Sequence, residues 1–241
     1  MKRSTRGVTL LELLIVVTLL SLLSVAMFTA MRIGLGAFTK ADEKLMANRK
    51  AAGAQRILRS QMEGLVPVFA LCAAGEPGSN STVQMPFFGG TPAAVYLVST
   101  FSLQEGWRGK PQILEIFVIP GEDRGVRLVV NELPYTGSLS AGRFCRVSPQ
   151  NGLPQFLPAQ ARPQSFVLAD KLAYCRFAYL AEPLGPTLPE TWQPVWNKLI
   201  LPLAVRIEMA PLDPNPSEVQ PISVTAPIYL RRDPNVPYAD F

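Results

Sequence analysis

Residues 6–27 read RGVTLLELLIVVTLLSLLSVAM, an apolar run that carries a single carboxylate, Glu12. From Leu13 to Met31 no side chain is ionisable. About 20 apolar residues suffice to cross a bilayer as a helix, so the run predicts a membrane helix with Glu12 just inside it. An acidic group at the middle of such a helix costs roughly 2.5 to 3.5 kcal/mol, and intramembrane carboxylates usually have a partner or a role.

Charge and composition indicate a globular domain with a membrane anchor. The chain has 241 residues, 48% of them hydrophobic, which leaves enough for a core once the helix is set aside. Lys2, Arg3 and Arg6 supply three charges of the net +5 before the apolar run begins. Positive residues beside a span tend to stay cytoplasmic, so we expect the long C-terminal part outside the cytoplasm. The rest of the chain has no basic stripe, which argues against a nucleic-acid partner.

Two simpler interpretations of the N-terminus are open. The run could be a secretory signal peptide with a small-x-small cleavage site at Ser24, Val25 and Ala26, or a plain signal anchor in which Glu12 lies near the interface without a role. Against the signal peptide, its apolar region seldom carries a carboxylate, and the helical pattern continues beyond the site.

The order of residues around Gly7 gives a more specific interpretation. A short basic leader ends in Gly7, and VTLLE follows at Val8 to Glu12 before the apolar helix. This order resembles the type IV pilin and pseudopilin signature, although that family usually has phenylalanine at the position of Val8. The resemblance implies that a prepilin peptidase cuts between Gly7 and Val8 and methylates the new amine. Glu12 would then be the fifth residue of the mature chain.

The spacing of the cut and the carboxylate is physically reasonable. Cleavage would place a positive amine on Val8, four residues and about 6 Å of helix rise from Glu12. Pairing of one subunit's amine with its neighbour's Glu12 would offset both desolvation costs in a medium of low dielectric, and would set the stagger between packed helices. The resemblance implies that Glu12 is the assembly carboxylate.

The helix is predicted to continue well beyond the membrane. Residues 32–64 contain no proline and keep apolar residues at helical spacing, so a helix from Val8 to Gly64 would be about 85 Å long. Gly34 and Gly36 form a flexible joint, allow close helix packing, or are simply tolerated within the helix. The predicted domains are a leader at 1–7, a transmembrane half of the helix at 8–31, an amphipathic half at 32–64 and a periplasmic head at 65–241.

Beyond residue 65, prolines interrupt the chain and short apolar runs indicate strands. The run ILEIFVI is predicted to be a central buried strand, VRLVV a half-exposed one, and LAVRIEM an alternating one. We therefore predict an α+β fold, with the long helix packed on a β-rich, mainly antiparallel, pilin-like head. The strand candidates are 94–101, 113–119, 126–130, 170–180, 203–209 and 222–230.

The candidate strand DKLAYCRFAYL at 170–180 has two predicted faces. Strict alternation places Leu172, Tyr174 and Arg176 on one face, and Cys175 and Phe177 on the other.

The C-terminal half carries a second resemblance. The run from DKLAYCRFAYL through TWQPVW to LPLAVRIEM is similar to the C-terminal half of the J-class minor pseudopilin of type II secretion systems. That resemblance implies an inner-membrane protein that joins other minor pseudopilins at the tip of a short periplasmic filament and initiates its assembly. The filament supports export of folded proteins across the outer membrane. The implied partners are other minor and major pseudopilins, the prepilin peptidase, the inner-membrane secretion platform and membrane lipid.

Two other functions stay open at this point. One is a minor pilin of a type IV pilus, such as one of the W class. The other is a membrane-tethered periplasmic enzyme or binding domain in which Glu12 is accidental.

The residue types in the chain argue against an enzyme. The sequence has no histidine, which excludes histidine-based triads, general bases and metal ligands, and it has no nucleotide-binding glycine loop. We expect no catalytic residue, metal or cofactor. The densest acidic group is read as a solvated loop and strand edge rather than as a glycosidase-like pair. It comprises Glu115, Glu122, Asp123 and Glu132.

Three cysteines, Cys72, Cys145 and Cys175, allow at most one intramolecular disulfide. Their spacing is too wide for a clustered zinc site. Spacing does not identify the pair; Cys145 and Cys175 are kept as a possible one, and a buried unpaired side chain is the alternative for each.

Overall fold

The computed structural model describes residues 9–75, 81–103, 108–122, 124–183, 189–212 and 221–230, with the backbone only at 43–51 and 108. The chain divides into two compact units, Met1–Ala47 and Asn48–Phe241.

One helix, α1, runs from Leu10 to Glu63 without interruption. It contains no helix-breaking proline, and it ends where Gly64 begins a turn. A Cβ atom on Gly64 would lie 2.6 Å from Ser99 Oγ, so the close approach of a neighbouring strand requires glycine there.

The remaining elements belong to the head. They are twelve strands and one short helix among the described residues: β1 Phe69–Ala73, β2 Thr82–Pro86, β3 Gly89–Thr91, β4 Ala94–Phe101, β5 Arg108–Pro120, β6 Val126–Pro134, α2 Ser138–Gly142, β7 Cys145–Val147, β8 Pro154–Phe156, β9 Phe166–Ala181, β10 Thr191–Gln193, β11 Ala204–Pro211 and β12 Ile222–Pro227.

These strands form two sheets. The larger is antiparallel throughout, with strand order β12-β11-β9-β6-β5-β4-β3 and with β10 paired to β9. The smaller has the order β2-β1-β7-β8 and one parallel contact, between β1 and β7. A long helix followed by a mainly antiparallel sheet confirms the predicted α+β fold.

Strands β4 and β5 separate two hydrophobic cores. Leu97 and Leu114 pack with Leu58 and Met62 of α1 in one core. On the opposite face, Tyr96 and Ile113 belong to a second core that includes residues of β1 and β7. Both strands are therefore buried on both faces, which confirms the prediction for ILEIFVI. Each fully buried large apolar side chain contributes about 1.5 to 3 kcal/mol of transfer free energy.

Strand β6 was predicted to be half-exposed, and that prediction is wrong. The four residues Leu128 to Asn131 are all buried, because β6 lies between β5 and β9 with a core on each face. The polar residue of this stretch, Arg127, is only partly exposed and pairs with Glu122 and Asp170.

Strand β9 also departs from simple alternation. Leu172 shares the helix-side core with Cys175 and Phe177, instead of the face of Tyr174. The pairing with β11 skips Ala173, since Ala210 opposes Tyr174 and Pro211 opposes Leu172. A β-bulge of this kind shifts the side-chain alternation by one residue. Strand β11 follows its prediction, with Val205, Ile207 and Met209 buried.

The disulfide joins Cys72 of β1 to Cys145 of β7. The Cys145–Cys175 pair that was kept as possible is therefore wrong. The Cα atoms of Cys72 and Cys145 are 5.0 Å apart, inside the usual range of about 4.4 to 6.8 Å. Cys175 is a free, buried thiol in the helix-side core, whereas Cys145 belongs to the core on the other face of the larger sheet. The sheet itself therefore separates Cys145 from Cys175.

We predict that replacing both Cys72 and Cys145 by alanine lowers the free energy of unfolding by about 2 to 5 kcal/mol, because the bridge closes a loop of 73 residues. Urea unfolding of the full chain in detergent, followed by tryptophan fluorescence, measures the change. Cys175→Ala is the control, because it leaves the bridge and its sensitivity to reductant intact. Alkylation of the unreduced, denatured chain should label one thiol; labelling of three would contradict the assignment.

Candidate functional site

The predicted processing residues Gly7 and Val8 lie outside the described residues, which begin with Thr9. Thr9 caps α1: its hydroxyl and carbonyl oxygens accept hydrogen bonds from the backbone N–H of Glu12 at 3.3 and 3.0 Å. Glu12 is thus the third residue of the helix, in the first turn, where unpaired N–H groups and the helix dipole favour a negative charge.

This capping role of Thr9 was not part of the sequence-based prediction. The pattern Thr9-x-x-Glu12 before an apolar run is a recognised helix-start signal and could have revealed it. The cap fixes where the helix begins and places the Glu12 carboxylate at its N-terminal end.

From Leu13 to Met31, the surface of α1 carries no ionisable side chain on any face. The large hydrophobic side chains between Leu10 and Phe38 are exposed by fractions that range from 48% at Ile15 to 84% at Leu10. A water-exposed helix would carry polar residues on at least one face. By length and composition, the segment Leu10–Asp42 can cross a membrane. Among the described residues, one helix meets this criterion.

The hydroxyl side chains within this segment satisfy their own donors. Thr18, Ser21 and Ser24 donate to backbone carbonyl oxygens three or four residues earlier at 2.8 Å, and Thr29 does so at 2.9 Å. No partner from water is needed for these groups, so the helix can enter hydrocarbon without unsatisfied hydroxyl donors.

Gly34 and Gly36 lie inside the continuous helix. A Cβ atom built on either residue would meet no atom within 4 Å among the described residues. Contacts within this part of the chain therefore do not require glycine at either position.

Among the described residues, Glu115 and Glu132 of the predicted acidic group lie on opposite faces of the larger sheet. Glu115 opposes Asn131 in the β5–β6 register, while Glu132 opposes Leu114, so the two carboxylates leave opposite faces of the sheet. Glu122 pairs with Arg127 at 2.8 Å, and Asp123 lies outside the described residues. Within the described ranges, no group of three or more His, Cys, Asp or Glu residues could hold a metal ion.

The buried carboxylate of Glu115 has a structural set of partners. Its Oε2 accepts hydrogen bonds from Asn131 Nδ2 at 2.7 Å and from Arg162 at 3.3 Å. Asn131 Nδ2 also donates to the carbonyl oxygen of Gln160 at 2.9 Å. This network fastens the segment before β9 to the middle of the larger sheet.

The free thiol is not poised for chemistry. Burial raises the pKa of Cys175 to about 12, so the thiol stays protonated at neutral pH. The thiolate is the nucleophilic and metal-binding form, which Cys175 does not supply.

The N-terminal segment is also where a known protein family is matched. A family model described as the prokaryotic N-terminal methylation motif matches residues 2–28, which include Gly7, Val8 and Glu12. No curated protein matches the chain. The motif implies processing by a prepilin peptidase and assembly with other pilins. The chain therefore carries, ahead of its antiparallel head, the N-terminal methylation signal of type IV pilins and pseudopilins.

Proposed function

We propose that this protein is a minor pseudopilin of a type II secretion system, similar to the J class. In this role it assembles with other minor pseudopilins at the tip of a periplasmic filament and initiates that filament. The observation that carries the proposal is the methylation motif at residues 2–28, which includes the start of a membrane-length helix. The similarity of the C-terminal strands to the J class supports the choice of subtype.

Assembly rests on charges at one end of the helix. Cleavage after Gly7 leaves an amine on Val8, next to the Thr9 cap. A cation at the N-terminus of a helix is disfavoured by the helix dipole, whereas Glu12 in the first turn is favoured. The amine therefore gains most from an external carboxylate, and Glu12 of a neighbouring subunit at the same membrane depth provides one.

The apolar surface of α1 gives the second part of the assembly mechanism. Its exposed apolar side chains require lipid around them before assembly and neighbouring helices afterwards, because contact of this surface with water is unfavourable. A subunit would move from membrane into filament by exchanging lipid contacts for helix contacts, with the Glu12 pair setting the register.

We infer a mechanical role without a reaction of its own. The absence of histidine from the sequence, the protonated Cys175 thiol and the separated Glu115 and Glu132 carboxylates support this. The proposed partners are other minor and major pseudopilins, the prepilin peptidase, the secretion platform and membrane lipid. The proposed location is the inner membrane, with the N-terminus cytoplasmic and the head periplasmic.

A minor pilin of a type IV pilus is the second candidate. The methylation motif favours it equally, because pilins and pseudopilins share that signal. The two functions differ in the consequence of losing the protein, and that difference can be measured.

We expect the mature protein to begin with N-methylated Val8. Mass spectrometry of the N-terminal peptide, purified from the native membrane, measures this directly. A strain without the prepilin peptidase is the control and should retain residues 1–7. A mature chain that begins at Met27 would indicate a secretory signal peptide, and one that keeps Met1 in the wild-type strain would indicate a plain anchor.

Glu12→Gln should leave membrane insertion and cleavage intact but reduce incorporation into filaments at least tenfold. The amide keeps the size of the side chain and removes the charge that pairs with the neighbouring amine; one tenfold step corresponds to about 1.4 kcal/mol. Quantitative cross-linking to co-assembled pseudopilins measures incorporation. Glu63→Gln, at the other end of α1, is the matched control and should assemble normally. Normal incorporation of the Glu12 variant would refute the pairing mechanism.

Deletion of the gene should trap exported proteins in the periplasm while surface pili remain. Immunoblots of periplasmic and extracellular fractions, together with electron microscopy of the cell surface, measure both outcomes. Loss of pili with unimpaired secretion would instead assign the protein to a type IV pilus.

A further inference from the structure

A groove of about 870 Å³ lies in the head between its two sheets. We call it the hairpin groove. One wall is the β7–β8 hairpin, Cys145–Phe156; the other is β3 with residues 195–197; and Tyr96 and Phe117 lie between the walls.

The floor of the hairpin groove is fixed by packing. The Phe156 ring stacks on Tyr96, with centroids 4.7 Å apart and planes at 14°. A Cβ atom on Gly89 would overlap the Phe156 ring, so glycine makes this approach possible. Tyr96 Oη donates to the carbonyl oxygen of Leu157 at 2.8 Å and accepts from the N–H of Ala159 at 3.2 Å. The groove is therefore preformed rather than created by side-chain movement.

Strand β8 offers a backbone edge to the groove. The N–H of Leu157 bonds to Phe144 and the N–H of Ser148 bonds to Leu153, while Cys145 opposes Phe156. Hydrogen-bonded pairs alternate along an antiparallel ladder, so the N–H and C=O of Phe156 point away from β7. In the described part of the chain, β8 is the outer strand of the smaller sheet. An exposed strand edge is a template for one more strand.

Among the described residues that line the groove, Arg146 is the one charged side chain, and it is exposed on the hairpin wall. Lys198 does not line the groove, but its ammonium lies 4.7 Å from the ring centroid of the lining residue Trp196. None of the described residues that line the groove is acidic. Amide side chains of Gln150, Gln155 and Asn197 complete a polar rim.

We propose that the hairpin groove binds an extended, acidic peptide segment of another protein. The segment adds to the β8 edge through main-chain hydrogen bonds to Phe156, and its carboxylates pair with Arg146 and Lys198. Strand addition gives affinity through the main chain and specificity through alternate side chains. A peptide fits this site better than a polyanion such as nucleic acid. The groove has one lining cation, Arg146, and the described residues provide no partner for the N–H and C=O of Phe156. The inference goes beyond the proposed function and holds for a secretion or a pilus subunit alike.

The test uses the full chain in lipid nanodiscs and three fluorescein-labelled heptapeptides, DVDVDVD, NVNVNVN and KVKVKVK. We expect anisotropy titrations to show that the aspartate peptide binds at least tenfold more tightly than the asparagine peptide, and that the lysine peptide does not bind. Affinity for the aspartate peptide should fall as salt increases. Equal binding of the aspartate and asparagine peptides would overturn the proposal.

Two charge reversals locate the binding. Arg146→Glu should weaken binding of the aspartate peptide at least tenfold, whereas Arg143→Glu, the same reversal at an exposed residue that does not line the groove, should change it less than twofold. Circular dichroism and an intact Cys72–Cys145 bridge verify that each variant is folded. Equal effects of the two reversals would overturn the assignment to the groove.

Cross-linking gives an independent readout of the site. A benzophenone at the central residue of the aspartate peptide should label residues 146–158 or 195–197, identified by mass spectrometry; labelling elsewhere would overturn the proposal. A chain shortened after Leu230 should bind the peptide no more tightly than the full chain. A tenfold gain would instead assign the groove to the chain's own residues 231–241 and would likewise overturn the proposal.

Discussion

One constraint governs the N-terminal part of this protein. The apolar surface of the helix and the Glu12 carboxylate adjoin each other, so a membrane that takes up the first must also accommodate the second. The helix carries no ionisable side chain between Leu13 and Met31, yet Glu12 lies in its first turn. An ionised carboxylate is tolerated at low dielectric only with compensation from opposite charge or from hydrogen-bond donors. The Thr9 cap and the helix dipole supply part of that compensation. In the function proposed above, the amine of a neighbouring subunit supplies the remainder, and each subunit gains from polymerising.

Much of this arrangement could be read from local patterns. The membrane helix, the helix end near Gly64 and the strand candidates follow from runs of apolar residues and from proline and glycine positions, because these depend on neighbours in sequence. The prediction was wrong where a distant strand decides the outcome. The position of Leu172 depends on a bulge in the pairing with β11, and the burial of β6 depends on what covers its second face. The three-residue strands of the smaller sheet are too short to give a periodic signal.

The cysteines show the same division between local and distant information. Their sequence positions allowed one bridge but did not identify the pair, since connectivity depends on which strands meet in space. The larger sheet puts Cys175 on the helix side and Cys145 on the other, and the parallel contact of β1 with β7 brings Cys72 to Cys145. For the candidate site, Glu12 and the cleavage position were recognisable as a motif, whereas the hairpin groove is assembled from four separated segments and had no signal in the sequence.

The Cys72–Cys145 bridge also decides what a cut in the backbone of the head would do. The helix ends at Glu63, and Cys72 follows shortly afterwards in the first strand. Strands β2 to β6 all lie between Cys72 and Cys145, inside the covalent loop that the bridge closes. A single backbone cut within the loop would therefore leave the two fragments joined by the disulfide, and the head would stay covalently attached to α1.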